Sequence, residues 1–245
     1  MPEGARAAAC PHHDARPDGT RIDLLVLADT QTADRAAALA RLRDAPRGPN
    51  WHYVIDRDGG LWSGVPETRA ARGLGGGRWH GGDVGAGAVV IGLVHPGGGG
   101  RDYGILQMAA ACDLCLALIG RHAIGPGRVV AHGDIDPARG RGPGDRFDWE
   151  GLGAGGVGLW PTAMPDLGTG GLLRDAASMR DVRRALRDIG YAVQAEGALD
   201  PALSAVLCSF QRRWRPASVT GQADAGTLAR LLAVARDAAQ ASSSG

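Results

Sequence analysis

The chain has 245 residues, 44% of them apolar, and a formal net charge of +1. That length suits one large domain or a medium domain with a small one, and the near-neutral charge gives no reason to expect broad attraction to nucleic acid or acidic membranes. Forty glycines exceed the usual share, so long irregular loops are expected, and the cationic side chains are all Arg because the chain contains no Lys.

Ile22 to Leu27 is an apolar run that predicts a buried strand. Ala33 to Arg43 is rich in Ala and Leu, with Arg and Asp at helical spacing, and predicts a helix capped by Thr32 or Asp34. Trp51 to Asp56 and Leu61 to Val65 predict a strand pair turned by Arg57-Asp58-Gly59-Gly60. Val89 to Val94 predicts a central strand. Ile105 to His122 predicts a long buried helix closed by Gly125-Pro126-Gly127. Arg128 to Ala131 predicts a last strand that delivers His132. Strands mixed with long helices indicate an α/β domain, a mixed central sheet flanked by helices. The glycine stretches 73–77 and 97–100 read as surface loops, since a phosphate-cradling loop needs the missing Lys.

A Pro- and Gly-rich stretch from Gly158 to Gly171 marks a boundary. Beyond it three amphipathic segments, Met179 to Ile189, Pro201 to Trp214 and Ala225 to Ala235, predict a small three-helix C-terminal domain. The expected division is a first domain over 1–162, a linker over 163–173, the helical domain over 174–237 and a disordered tail over 238–245. Cys112 and Cys115 form a C-x-x-C without a second pair, so they read as small core residues. No run is read as long enough to span a membrane. The N-terminus lacks the apolar segment of a secretory signal, so the expected compartment is the cytoplasm as the sequence stands, or the periplasm if translation starts elsewhere.

The segment from Arg128 to Trp149, R-V-V-A-H-G-D-I-D-P-A-R-G-R-G-P-G-D-R-F-D-W, is the most informative. It resembles the metal-binding segment H-x-D-x-x-P-x-R-K-x-D-P-G-x-x-F-x-W of the type-2 N-acetylmuramoyl-L-alanine amidases, a family related to peptidoglycan-recognition proteins. The likeness begins at Pro11-His12-His13-Asp14-Ala15-Arg16-Pro17 and continues through W-H-Y-V-I-D-R-D-G at 51–59, Val65-Pro66-Glu67, Trp79-His80-Gly81-Gly82 and Gly158-Leu159-Trp160-Pro161. In the second part Gly190-Tyr191, Gly197-Ala198-Leu199-Asp200, Phe210-Gln211-Arg212-Arg213 and Gly221-Gln222-Ala223-Asp224 resemble a peptidoglycan-binding helical domain.

The resemblance implies zinc-assisted cleavage of the amide between the lactyl group of N-acetylmuramic acid and L-alanine. A catalytic zinc needs about three protein ligands and one open position, and it lowers the pKa of bound water toward about 7. A Glu moves the proton and a Lys stabilises the oxyanion. At the implied zinc positions stand Ala28, His132 and Gly142. The Glu position falls at Val94 without a gap, or in a two-residue deletion if Leu93-Val94-His95-Pro96-Gly97 is set against the family's L-V-N-P-G; the Lys position falls at Gly140, and neither alignment supplies a Glu, the four in the chain being at 3, 67, 150 and 196. Side chains of Gly, Ala and Val offer no donor atom, so no zinc or other cofactor and no catalytic residue is expected.

The reading is therefore a catalytically silent member of that family that binds peptidoglycan or muropeptide, with Trp79, His80, His52 and Arg139 as ligand contacts and the helical domain as a second module that adds avidity. One alternative is an active zinc amidase with a relocated site, drawing on His132 with His95, His80, Asp29 or Asp134. The other is a scaffold or partner-binding protein that has lost sugar recognition. His95 is expected to be solvated, His12 and His13 to precede the fold exposed, Asp29 to point to the face opposite Ala28, and Asp134 and Asp136 to bond their own loop.

Overall fold

The computed structural model describes the chain except residues 1, 3, 99, 100, 141, 162–169, 244 and 245. Its strands are β1 (Arg6–Ala7), β2 (His13–Ala15), β3 (Leu24–Asp29), β4 (Tyr53–Ile55), β5 (Leu61–Ser63), β6 (Arg69–Ala71), β7 (Arg78–Trp79), β8 (Gly82–Asp83), β9 (Ala88–Leu93) and β10 (Val129–Ala131). Its α-helices are α1 (Arg35–Asp44), α2 (Ile105–His122), α3 (His132–Ile135), α4 (Trp149–Ala154), α5 (Ala176–Ile189), α6 (Pro201–Trp214) and α7 (Ala225–Ser243).

The main sheet runs β1-β5-β4-β9-β3-β10, antiparallel only between β4 and β5. It is the mixed central sheet that the sequence predicts. The apolar runs form its middle because strands covered on both faces can carry apolar side chains at every position. The first of them sits two residues later than expected. Leu24 N bonds Gly87 O, and pairing then runs from Leu24 opposite Ala88 to Asp29 opposite Leu93. That shift carries Asp29 into the buried end of β3.

Alternate side chains face two cores. On one face Leu25, Leu27, Ile55 and Ile91 pack on Leu114, Cys115 and Leu118 of α2 and Leu152 of α4. α2 has the length and composition of a membrane span, contrary to the reading from sequence. In this fold, however, its Gln107 side chain donates to the carbonyls of Ile55 and Val94, and its buried residues lie against the sheet. Burial pushes the Cys115 thiol pKa up, and all four cysteines are free. On the other face Leu24, Val26, Val54, Val90 and Val130 begin a core that continues through Trp79 and Ile135 into Leu186, Ile189, Phe210 and Trp214 of the helical domain.

The recurring Gly-and-Asp pattern of that domain has a local cause. Asp175, Asp200 and Asp224 each accept the backbone N–H three residues on, from Ser178, Leu203 and Thr227, at the starts of α5, α6 and α7. Gly190 closes α5 at φ +128°, and a Cβ there would strike the Trp79 indole. Gln211 holds the α6–α7 loop, accepting from Thr220 N and Gly221 N and donating to Gln222 O. The tail does not fray at residue 238: α7 continues to Ser243, because Ala238-Ala239-Gln240-Ala241 are good helix formers and the Ser242 and Ser243 hydroxyls bond carbonyls four residues back. Most of the expected linker lies outside the described residues. At its far end Leu173 N donates to Ala223 O. The N-terminal segment is likewise part of the fold. His13 lies in β2, paired with Ala71 of β6, and neither His12 nor His13 is fully exposed.

Candidate functional site

β10 ends at Ala131 and the chain turns at once into α3, which begins with His132, enclosed at 1% exposure. The turn is fixed from its own loop and from the helical domain. Asp134 accepts from Ala131 N (2.9 Å) and from the Tyr191 hydroxyl (2.6 Å), and the Ser209 hydroxyl donates to Gly133 O (2.7 Å). Arg213 lies 3.6 Å from Asp134. Its guanidinium sits 4.1 and 4.5 Å from the rings of Trp149 and Trp214 and donates to the carbonyls of Val129 (2.9 Å) and Leu159 (3.3 Å). Burial raises the Asp134 carboxyl above its ordinary range, against the pull of Arg213 and the two hydrogen bonds. The helical domain is therefore joined to the sheet domain by a buried polar network and a shared apolar core, which a pair of loosely tethered modules would not have.

A cavity of about 270 Å³ opens beside this turn. Asp29, Gly140, Gly142 and Asp145 line it from the sheet domain, and Ser209, Arg212 and Val219 from the helical domain. Asp29 keeps the alternation of β3, its carboxyl meeting Tyr103 in the cluster that holds Leu25 and Leu27, and yet it comes against Gly142, one of the implied ligand positions. A Cβ added at Gly142 (φ +73°) would fall inside the van der Waals shell of the Asp29 carboxylate. The acidic side chain at the end of β3 thus fills the space that a side chain at 142 would need.

Asp29 is itself held in place. The Tyr103 hydroxyl donates to its Oδ1 (2.7 Å) and accepts from Gly144 N (3.1 Å). The Tyr103 ring stacks on His95 at 4.3 Å. His95 is buried, not solvated: Nδ1 accepts from Gly97 N and Nε2 bonds Arg101 O, so both ring nitrogens are engaged. With Nδ1 acting as acceptor, the 3.8 Å approach of His95 to Asp29 is not an ion pair. Burial pushes His95 down, and it pushes Asp29 up to about 7 despite the Tyr103 hydrogen bond.

The folded pKa of Asp29 lies above its unfolded value near 3.8, so between about pH 4 and pH 7 the folded state retains a proton that the unfolded state releases. The Asp29 contribution is most favourable below that window and is lost as pH rises through it, by roughly 4 kcal/mol in total. Asp29→Asn is expected to flatten this part of the stability profile. Urea unfolding of both proteins across that range checks it, and equal slopes would refute the assignment.

The other residues singled out by sequence distribute unevenly. Ala28 is buried at the end of β3 and Val94 is buried beyond β9, where its N–H donates to Ile55 O (2.8 Å). Gly140 lines the cavity at φ +50°, with Pro137 O in ordinary van der Waals reach of where a Cβ would stand. His52 has no exposed surface with which to meet a ligand: Nδ1 accepts from Val90 N, Nε2 bonds Arg69 O, and burial lowers its pKa to about 4. Trp79 is buried at the domain seam, its indole N–H on Gly127 O and its ring edge-on to Tyr191. His80 is exposed beside it, its N–H on Gly190 O. Arg139 is at the surface, bonded to Gly75 O and Asp136. None of these four lines the cavity. The residues that do and that sequence reasoning missed as contacts, Ser209, Arg212 and Arg213, lie in the phrase C-S-F-Q-R-R, which carries no signal of its partner strand.

The family's zinc requires donors that these positions do not offer. Ala28 and Gly142 have none, and among the described residues no three His, Cys, Asp or Glu side chains gather as a metal site needs. A family model described as N-acetylmuramoyl-L-alanine amidase matches residues 18–145, and one described as a putative peptidoglycan binding domain matches 175–231. N-acetylmuramoyl-L-alanine amidase AmiD of Escherichia coli is 35% identical over 129 residues, which is 50% of this chain and 45% of that protein, so the matched stretch spans less than half of the curated relative. The solved complex of AmiD with the substrate anhydro-N-acetylmuramic acid-L-Ala-D-gamma-Glu-L-Lys superposes with a TM-score of 0.77 at 27% identity, covering 90% of this chain and 91% of that one. AMPDH3 of Pseudomonas aeruginosa, solved with an anhydromuramic pentapeptide, gives 0.72 at 25% identity over 92% and 96%. Both parts of the fold and the ordered motifs thus have one source: the chain belongs to the N-acetylmuramoyl-L-alanine amidase family and carries a peptidoglycan-binding-type helical domain behind its amidase domain.

Proposed function

We propose that this protein binds peptidoglycan or its muropeptide fragments without hydrolysing them. The observation that carries the reading is the pairing of Gly142 with Asp29. The position implied for a zinc carboxylate is a glycine whose side-chain space is filled by a carboxyl already engaged by Tyr103. With Ala28 also lacking a donor, His132 is the one implied zinc ligand that remains. A silent site on an intact scaffold is reasonable, since function resides in the site and not the fold. The second domain matches a model described as peptidoglycan-binding, and two relatives are solved with muropeptides, which supports the ligand class.

The test measures three things on the full chain. Elemental analysis after mild dialysis is expected to find no stoichiometric zinc. Incubation with muropeptide, with and without added zinc, is expected to release no stem peptide. Sedimentation with purified peptidoglycan is expected to bring the protein down. Zinc-dependent release of stem peptide would establish an active amidase with a relocated site, and absence from the peptidoglycan pellet would leave a scaffold.

A further inference from the structure

Two successive arginines on α6 have different fates. Arg213 is buried, paired with Asp134 and held between two indoles. Arg212 is half-buried on the wall of the cavity, and among the described residues it makes no hydrogen bond or ion pair. A guanidinium that gives up part of its hydration without a partner is a donor fork awaiting an acceptor, and a carboxylate matches it with two parallel bonds. The rest of the wall makes room for one. Gly98, Gly140 and Gly142 line it without side chains. The other charged groups on the cavity divide the space. Asp134 is engaged by Arg213, Asp29 by Tyr103, and Asp145 remains as the carboxylate that an incoming anion must avoid.

We propose that Arg212 anchors a carboxylate-binding site in this cavity, so that the helical domain completes the ligand pocket of the amidase domain. The inference rests on the peptidoglycan-binding reading for its choice of ligand. The carboxylate is either the free lactyl carboxylate of a muramic acid sugar or a carboxylate of the stem peptide. The pocket is composite, because its cation comes from one domain and most of its floor from the other.

The experiment is calorimetric titration of the full chain with N-acetylmuramic acid, with a free stem peptide, and with N-acetylglucosamine as the sugar lacking the lactyl carboxylate. Peptidoglycan sedimentation is run in parallel. Binding of one carboxylate probe and not of N-acetylglucosamine is expected, and the probe that binds names the source. Arg212→Gln is expected to weaken that binding by about tenfold to a hundredfold, and Arg212→Lys by less. Among the described residues Arg212 has no partner, so the variants are expected to keep the thermal midpoint of the parent. Unchanged affinity in Arg212→Gln, or no binding of either carboxylate probe by the parent, overturns the proposal even if the protein sediments with peptidoglycan. Arg212-dependent binding of a probe without sedimentation upholds the site and removes the peptidoglycan reading.

Discussion

Replacing Arg213 by methionine is expected to lower the unfolding free energy by about 3–5 kcal/mol, because it breaks a buried ion pair from one side. Met fills much of the same volume between Trp149 and Trp214, so the loss reports charge and hydrogen bonds more than a void. The substitution strands the carbonyls of Val129 and Leu159 and leaves Asp134 with the Tyr191 hydroxyl and Ala131 N–H alone. Asp134 can answer by taking up a proton, so part of the deficit should be recovered as pH falls. The parent should unfold in one transition, since Leu186 and Phe210 share a core with Val26 and Val90. Guanidinium unfolding followed by both tryptophan fluorescence and far-ultraviolet circular dichroism checks this: coincident curves for the parent, and a lower midpoint for the variant. A deficit below about 1 kcal/mol, the range of surface pairs, would show that the seam is not held by this network.

Much of the architecture was legible because burial on both faces leaves a mark in the sequence. β9 is a continuous apolar run buried throughout, whereas α2, expected as a buried helix, buries one side only and leaves Ile105, Leu106 and Leu116 exposed; α2 and α6 have the ends that the sequence predicts. The Asp caps of the helical domain are local too, yet the sequence reading names Asp200 and Asp224 only as positions of a family pattern and starts α5 three residues late, past its cap Asp175. What composition cannot show is a contact between distant residues. Arg213 meets Val129 across 84 positions, and Ser209 meets Gly133 across 76, so the seam looked like an ordinary helix face. His52 and His95 looked available because polar side chains are usually exposed. Each is buried because backbone groups, Val90 N and Arg69 O for one, Gly97 N and Arg101 O for the other, satisfy both ring nitrogens. At Asp29 the alternation of β3 holds, its carboxyl meeting Tyr103 on the side of Leu25 and Leu27; what alternation cannot show is that Gly142, more than a hundred positions away, comes up against that side.

The pairing of Asp29 with Gly142 predicts that restoring one family residue will harm the protein. Gly142→Asp places a Cβ against the Asp29 carboxylate and forces an L-residue to φ +73°. The left-handed backbone costs about 1–2 kcal/mol and the overpacking about 1–3. Asp29 is not free to swing aside, being buried and bonded to Tyr103. A loss of about 2–5 kcal/mol is expected in urea unfolding. Asp29→Gly in the same chain should remove the steric and like-charge parts but not the backbone part. The double variant should therefore be more stable than the sum of the single changes by about 1–3 kcal/mol, the size of coupling found between touching residues. Adding Ala28→His to the pair supplies donors at the three implied zinc positions together with His132, and bound zinc is expected to rise to about one per chain. Strict additivity of the two single changes would break the proposed exchange of space between residues 29 and 142. A triple variant that folds yet binds no zinc would show that the assignment of Ala28 and Gly142 to the lost ligand positions is wrong.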